Sequence, residues 1–400
     1  MPILEGGFGL TATDAGRRIS VQTESALTIF DNISVAQTDQ FARALGLYGD
    51  VVLGSDLKGR FASFTTPKHL LSNRKNGCTW NPKGGLRMNV DEFDTCAVEF
   101  DGEQCPDTFY GTCFEKLFGP GNAVRDLAST EAGQTILAKL LEKIYLGLGN
   151  SYFDLYNFAN HPLITEANTS AFYSVSVPEW EAYIDQMLSG SCGGLITQLD
   201  ALAAQGEPYY DLTIPMADID VASNTFTGDP VALFETLKEA ASADLQTAID
   251  VGQMINGANR MPIILVSKDI YNAYKNWITA KAGTNELAYR FTIENNDGTT
   301  KLLRNVLMYD SMPVVRWDAP ARFDAITGAQ SHRAGIFAPG VFGVLHDVAN
   351  LAQFDGMGLM VEQSNRLADK GKIFMSTTFR WGAGIANTDF GVMASTILHP

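Results

Sequence analysis

The chain has 400 residues, is 46% hydrophobic and 18% charged, and carries a formal net charge of −16 at pH 7. That length predicts two or three substructures around more than one core, and the ordinary apolar content excludes long disorder. The charge excludes a general nucleic-acid binder, which needs clustered Lys and Arg, and with no secretory start or membrane-length apolar run a soluble, cytoplasm-made protein is expected.

In chain order, small and polar residues dominate the first fifty positions and predict an extended arm with one short helix at Gln37–Leu45. Residues 51–100 are rich in Gly, Pro, Asn and Thr, with Phe61, Phe64, Trp80 and Met88 scattered through them, which fits a long twisted hairpin or loop. Charge in this region is segregated. Seven basic residues (Lys58, Arg60, Lys68, Arg74, Lys75, Lys83, Arg87) face a single acid, Asp56, up to position 90. Seven acids follow without an intervening base: Asp91, Glu92, Asp94, Glu99, Asp101, Glu103 and Asp107. Adjacent blocks of opposite sign suit a segment that folds back on itself or lies over a neighbouring subunit; two solvated faces of one hairpin is the plainer alternative.

From Ser129 the pattern becomes helical. Ser129 is a cap candidate, Glu131 suits the first turn, and Ile136, Leu137, Leu140, Leu141, Ile144 and Leu148 form a stripe at helical spacing. The helix is expected to run to about Tyr156, before His161-Pro162, a span of roughly 40 Å. Asp229-Pro230 opens a second helix through Leu233, Phe234, Leu237, Ala241, Leu245, Ala248 and Ile249, with Gly257 at its end. Ile263–Val266 reads as a buried strand, and Ser267 as the cap of a third helix through Tyr271, Tyr274 and Trp277. Asn305–Trp317 reads as two strand pieces joined at Met312-Pro313, Arg333–Ala338 as another strand, and Gly356–Met393 as short strands between glycine turns.

No residue pattern marks a catalytic or cofactor site. His69, His161, His332, His346 and His399 are dispersed, and HExxH, G-x-S-x-G and the phosphate-loop pattern do not occur. Gly147-Leu-Gly149 lies within a helical stretch, so it is no dinucleotide loop. Cys78, Cys96, Cys105 and Cys113 are spaced too unevenly for zinc, and buried free thiols are expected. Asp218 and Asp220 alternate like strand residues but lack a calcium-loop context, and read as a solvated face. The expectation is a non-enzymatic chain with no cofactor and no metal.

The succession of segments resembles the HK97-like major capsid proteins of tailed bacteriophages. The most similar stretches are Asn259–Tyr274, a strand followed by an aromatic-bearing helix, Leu307–Val315, and Ala334–Gly343. The resemblance implies an α+β fold: an N-terminal arm (1–50), an extended loop region (51–115), a peripheral domain with a spine helix (116–165), an axial domain with an insertion (166–345) and a C-terminal return to the peripheral domain (346–400). The surplus length over small members is expected in 165–228. It further implies a structural subunit that assembles into hexamers and pentamers of an icosahedral or prolate shell around double-stranded DNA.

Lys58, Arg60, Lys68, Arg74, Lys75, Trp80, Lys83, Arg87, Asp91, Glu92 and Asp94 would then carry contacts between subunits. Scaffolding, portal, and decoration or head-completion proteins are the implied partners. DNA would be touched only non-specifically, there would be no membrane partner, and assembly would occur in the host cytoplasm. Some shells of this family join a lysine and an asparagine covalently, but nothing selects Lys58, Lys68, Lys75 or Lys83 for that role. The alternatives are an encapsulin-like compartment subunit, a tail or neck structural protein, or a hydrolase with a mixed core.

Overall fold

The computed structural model describes residues 11–12, 18–20, 46–49, 51–53, 58–65, 87–104, 147, 150–165, 167, 184–188, 192–251, 254–255, 258–259, 261–282, 288–294, 300–347, 360–363 and 373–398. The chain divides into two compact units, each built from three separated segments. The first comprises Met1–Ala36, Cys96–Leu155 and His346–Trp381; the second comprises Gln37–Thr95, Tyr156–Leu345 and Gly382–Pro400. Both helices and sheets are present, so the α+β expectation holds.

In the first unit, strand Thr11–Ala12 pairs with Arg18–Ser20, which pairs with Met360–Gln363, which in turn pairs with Ile373–Ile385. Cys96–Gln104 completes this part of the sheet, antiparallel to Ile373–Ile385 from Trp381↔Cys96 to Ile373↔Gln104. The strand period of two places Glu99, Asp101 and Glu103 on the exposed face, while Val98, Phe100 and Gly102 take the half-buried one. Residues 373–385 were expected as short runs separated by glycine turns. They form one continuous strand instead, because Gly382 and Gly384 are accommodated within the ladder as contact points, described below.

The core of the second unit is a seven-stranded mixed sheet. Its order is Ala288–Glu294, Thr300–Tyr309, Met312–Arg316, Ile263–Val266, Gln330–Phe337, Gly391–Leu398, Leu212–Thr213. Ile263–Val266 sits between a parallel neighbour, Met312–Arg316, and an antiparallel one, Gln330–Phe337. All four of its residues are buried, which is why its sequence is a continuous apolar run without alternation. The join after Thr300–Tyr309 is Asp310-Ser311, both at positive φ (44° and 67°), and not Met312-Pro313. Positive φ at both central residues is the type I′ form of the two-residue hairpin, a conformation that Asp tolerates and proline forbids. Pro313 instead lies within the strand opposite Met308.

Two further expectations are corrected by the backbone. The helix from Asp229 is two helices, Pro230–Ala240 and Ala243–Val251. Asp229 caps the first by accepting from the Val231 amide at 2.9 Å, and Ala241 then turns extended. Ser242 Oγ accepts from the Leu245 amide at 3.0 Å and donates to the Asp389 carbonyl, so a serine at the break restarts the helix and ties it to the C-terminal segment. Each of Cys96 and Cys192 is disulfide-bonded, against the expectation of free thiols. Two half-cystines add covalent constraint of a kind that unpaired spacing in the sequence cannot reveal.

Residue 147 and residues 150–158 are helical, and Asn160 at φ 57° ends the helix just before His161-Pro162, as expected. The earlier part of the expected spine helix and the Gln37–Leu45 helix lie outside the described residues. Against this helix end packs Gly194, at the start of helix Leu195–Ala204. A Cβ on Gly194 would stand 2.3 Å from the Asn157 carbonyl carbon and 2.4 Å from the Phe158 nitrogen, both of them backbone atoms. The Gly194 amide also donates to the Ala159 carbonyl at 3.0 Å. Gly194→Ala is therefore expected to destabilise the chain by about 2–3 kcal/mol or more, since the clashing backbone cannot rotate away. Urea unfolding of the variant, compared with Gly193→Ala, whose Cβ would meet only ordinary side-chain contacts at 3.6 and 3.8 Å, checks this.

Candidate functional site

Within residues 51–93, strands Val51–Leu53, Gly59–Thr65 and Arg87–Phe93 form a three-stranded sheet of their own. Its register brings the two charge blocks face to face: Arg60 opposes Glu92, and Thr65 opposes Arg87. Arg60 Nε lies 2.9 Å from a Glu92 carboxylate oxygen, and Lys58 Nζ lies 3.9 Å from Glu92 and 4.0 Å from Asp94. Four of the candidate contact residues are thus drawn together within one chain, on a half-exposed surface where such pairs contribute little. Arg87 and Asp91 lie on the same hairpin strand. Lys68, Arg74, Lys75, Trp80 and Lys83 lie outside the described residues.

The base of this hairpin is held by Phe93. Its ring lies 2.4 Å from where a Cβ on Gly59 would sit, 2.8 Å from one on Gly382 and 2.5 Å from one on Gly384. Three glycines therefore make the slot that seats one aromatic ring, and the hairpin is pinned to the last segment of the chain.

A second assembly, invisible in the sequence, is a buried charge network in the second unit. Arg333 is 0% exposed, on strand Gln330–Phe337, and forms a two-pronged pair with Asp200 of helix Leu195–Ala204. Its second prong, Nη2 to Oδ2, measures 2.8 Å. His161 Nε2 lies 2.9 Å from the same carboxylate. The Leu163 amide donates to His161 Nδ1 at 3.1 Å, so Nε2 carries the proton and donates to Asp200. Burial pushes the Asp200 carboxyl upward, but the Arg333 charge and the hydrogen bonds from Arg333 and His161 outweigh it and hold the group down at about 2. The His161 ring packs edge-on against Phe323, centroids 4.5 Å apart.

One residue earlier, His332 points into a different environment. Its Nδ1 lies 2.5 Å from Asp269 Oδ2, Ser267 Oγ donates to Asp269 Oδ1 at 2.6 Å, and the Arg333 amide donates to Ser267 Oγ at 3.3 Å. Ser267, expected as a helix cap, directly precedes helix Lys268–Ala282 and its carbonyl accepts from the Tyr271 amide at 2.9 Å, while its hydroxyl is engaged by the carboxylate two residues on. Asp269 stays ionised below its usual range: burial opposes this, but the His332 and Ser267 hydrogen bonds prevail. His332 Nε2 is buried and has no hydrogen-bond partner among the described residues.

Beside it, Asp324 of helix Ala319–Thr327 accepts from the Ser331 amide at 3.0 Å and from the Ser331 hydroxyl at 2.7 Å. Burial dominates there, and raises the Asp324 carboxyl to about 6 despite those bonds and the positive charge of Arg333. Ser267, Asp269, Asn272, Asp324, Ser331 and His332 all line one cavity of about 470 Å3.

The arrangement is not that of a Ser–His–Asp relay. A Ser–His–Asp relay needs the serine on the histidine nitrogen remote from the acid, whereas Ser267 donates to the acid itself. Asp218 and Asp220 do not form a shared site: Asp220 binds Ser223 at 2.6 Å, and Asp218 lies against Gly228. No group of three or more metal-ligating side chains occurs among the described residues, nor any helix long and apolar enough to cross a membrane.

No family model and no curated protein matches the chain. Solved structures do show similarity. A satellite phage P4 procapsid including the size determination protein is 10% identical, with 93% of this chain and 98% of that chain covered, at a TM-score of 0.47. A structure of Mycobacterium phage Ogopogo is 11% identical over 88% of this chain and 90% of that chain, at 0.40. The holo-SrpI encapsulin complex from Synechococcus elongatus is 12% identical over 77% of each chain, at 0.32.

Two outcomes test the buried groups. Arg333→Met leaves Asp200 buried without its counter-charge and is expected to cost about 3–5 kcal/mol in thermal or urea unfolding, with Arg333→Met/Asp200→Leu recovering much of it. Asp324 is raised in the folded state, so its contribution is complete below pH ~4 and is lost as pH rises through about 6. A stability profile is expected to fall by about 3 kcal/mol across that window, and Asp324→Asn to flatten it.

Proposed function

We propose that the chain is an HK97-like capsid subunit: a structural, non-catalytic protein that assembles through hexamers and pentamers into a closed icosahedral or prolate shell around phage double-stranded DNA. The observation that carries this reading is the course of the chain. N-terminal strands, then a small sheet of its own within 51–93, then a helix reaching 158, precede a large mixed-sheet body built mostly from 156–345, to which Gly391–Leu398 adds a late strand. The chain then returns, so that Met360–Gln363 and Ile373–Ile385 pair with Arg18–Ser20 and Cys96–Gln104. This course supports reading the chain as an arm, extended loop, spine helix, axial domain and return to a peripheral domain.

The hairpin supplies the physical reason for assembly. Two or three strands held by a ladder and exposed ion pairs are marginal alone in water. A neighbouring subunit covering the hairpin would remove apolar area from water at about 25 cal/mol per Å2, and repetition over many identical contacts makes a strong shell. Scaffolding, portal and head-completion proteins are the partners this role calls for. The exposed acids Glu99, Asp101 and Glu103, in a chain of net charge −16, suit a surface along which packaged DNA slides.

Negative-stain electron microscopy of the purified chain, alone and with the scaffolding protein of its phage, is expected to show closed shells or rings of five and six. A monomer under both conditions contradicts the proposal. Within the hairpin, Arg60→Glu sets like charges opposite each other at Glu92 and is expected to lower assembly yield several-fold. Glu92→Arg in the same chain is expected to restore it.

A further inference from the structure

Exposed apolar side chains gather on one small element of the second unit. It consists of the short helical turn Met216–Asp218 and the antiparallel strands Ile219–Asp220 and Thr225–Phe226. Its inside is made by Ile219 and Phe226, paired in register and both buried. Its backbone is braced: the Asp218 amide donates to the Pro215 carbonyl at 2.9 Å, and the Asp218 carbonyl accepts from the Thr227 and Gly228 amides at 2.7 and 3.2 Å. Its outside is apolar. Pro215, Met216, Ala217, Val221 and Ala222 are all exposed, Met216 and Val221 by 50% and 51%. Single exposed hydrophobics are ordinary, but a run of them on a braced knob marks a surface for a partner. Bracing also lowers the entropy cost of binding.

Charge selects the partner. Residues 144–237 contain twelve acids and no Lys or Arg, in a chain of net charge −16. Asp154 is buried and Asp200 is committed to Arg333, but Asp211, Asp220 and Asp229 are exposed within or close to the apolar run. The opposite composition lies at the end of the 51–93 sheet. Strands Gly59–Thr65 and Arg87–Phe93 stop at the pair Thr65↔Arg87. The 21 residues between them, 66–86, hold Lys68, Arg74, Lys75 and Lys83 and no acid, together with Leu70, Leu71 and Trp80.

We propose that the knob at 215–222 is the docking surface for segment 66–86 of a second copy of this chain. The knob supplies apolar area for the leucines and the tryptophan, and the acids around it match the lysines and the arginine in sign. The inference rests on the shell reading, which supplies the second copy, and adds which two surfaces meet. Each copy offers one knob and one such segment, so the contact is head-to-tail, the kind that closes into rings.

Zero-length carbodiimide cross-linking tests this, because it joins a carboxylate to a lysine amine only where the two touch. Isotopically heavy and light full-length chains are mixed while dispersed, assembled, cross-linked and digested with chymotrypsin, since no Lys or Arg lies between 143 and 238 for trypsin to cut. Links from Asp211, Asp218, Asp220 or Asp229 of one isotope to Lys68, Lys75 or Lys83 of the other are expected. The double variant Met216→Ser/Val221→Ser, at half-exposed positions, is expected to keep its unfolding midpoint while assembly yield falls several-fold.

Particles whose links all join residues of one copy, or that carry no link between these two segments, overturn the inference and leave the shell reading standing. Undiminished assembly of the double variant overturns it as well. A chain that stays monomeric throughout overturns both.

Discussion

The body of the second unit depends on one buried guanidinium. Arg333 sits on a strand that runs between Ile263–Val266 and Gly391–Leu398, with no exposed surface of its own. A charge there is costly unless it is matched in geometry as well as sign. Asp200 provides the match, and His161 completes it. The consequence is positional: helix Leu195–Ala204, the segment after residue 158, and the central sheet must all arrive together for the pair to close. Gly194 permits that approach by lacking a side chain where the Asn157 backbone passes. Hydrophobic burial supplies most of the stability, while the ion pair penalises any packing that leaves one of its charges buried alone.

The hairpin of 51–93 is built on the opposite principle. Its charges are half-exposed and its ladder is short, so its internal energy is small. Among its described side chains, Phe93 is seated in a slot of three glycines. An element anchored at its base and marginal along its length is suited to take its final conformation against another surface. That contrast between a locked body and a lightly braced hairpin is what the proposed shell role calls for.

Much of this was legible in the sequence where the signal is local. The buried strand Ile263–Val266, the helix start at Asp229-Pro230 and the helix stop before His161-Pro162 follow from apolar continuity, a cap and a proline. The segregated charges of 51–107 left a fold-back, overlap with a neighbouring subunit and two solvated faces of one hairpin open, and the Arg60–Glu92 pair supports the fold-back. The break at Ser242 and the turn at Asp310-Ser311 were missed because each depends on a competing local bond or a left-handed backbone that apolar periodicity does not encode. The Arg333–Asp200–His161 and His332–Asp269 pairs were missed for a different reason. Their partners lie 133, 39 and 63 residues apart, and no spacing rule reaches that far. A histidine and an arginine adjacent in a strand otherwise made of small and apolar residues was the only available hint.

The central claim, that the hairpin acquires its stability from a neighbouring copy while the body does not, is tested most directly by amide hydrogen exchange on dispersed and assembled protein. Amides of Ile263–Val266 and Gln330–Phe337 should be strongly protected in both forms, and those of Gly59–Thr65 and Arg87–Phe93 strongly protected only after assembly. Equal, high protection of the hairpin in the dispersed chain would contradict the account.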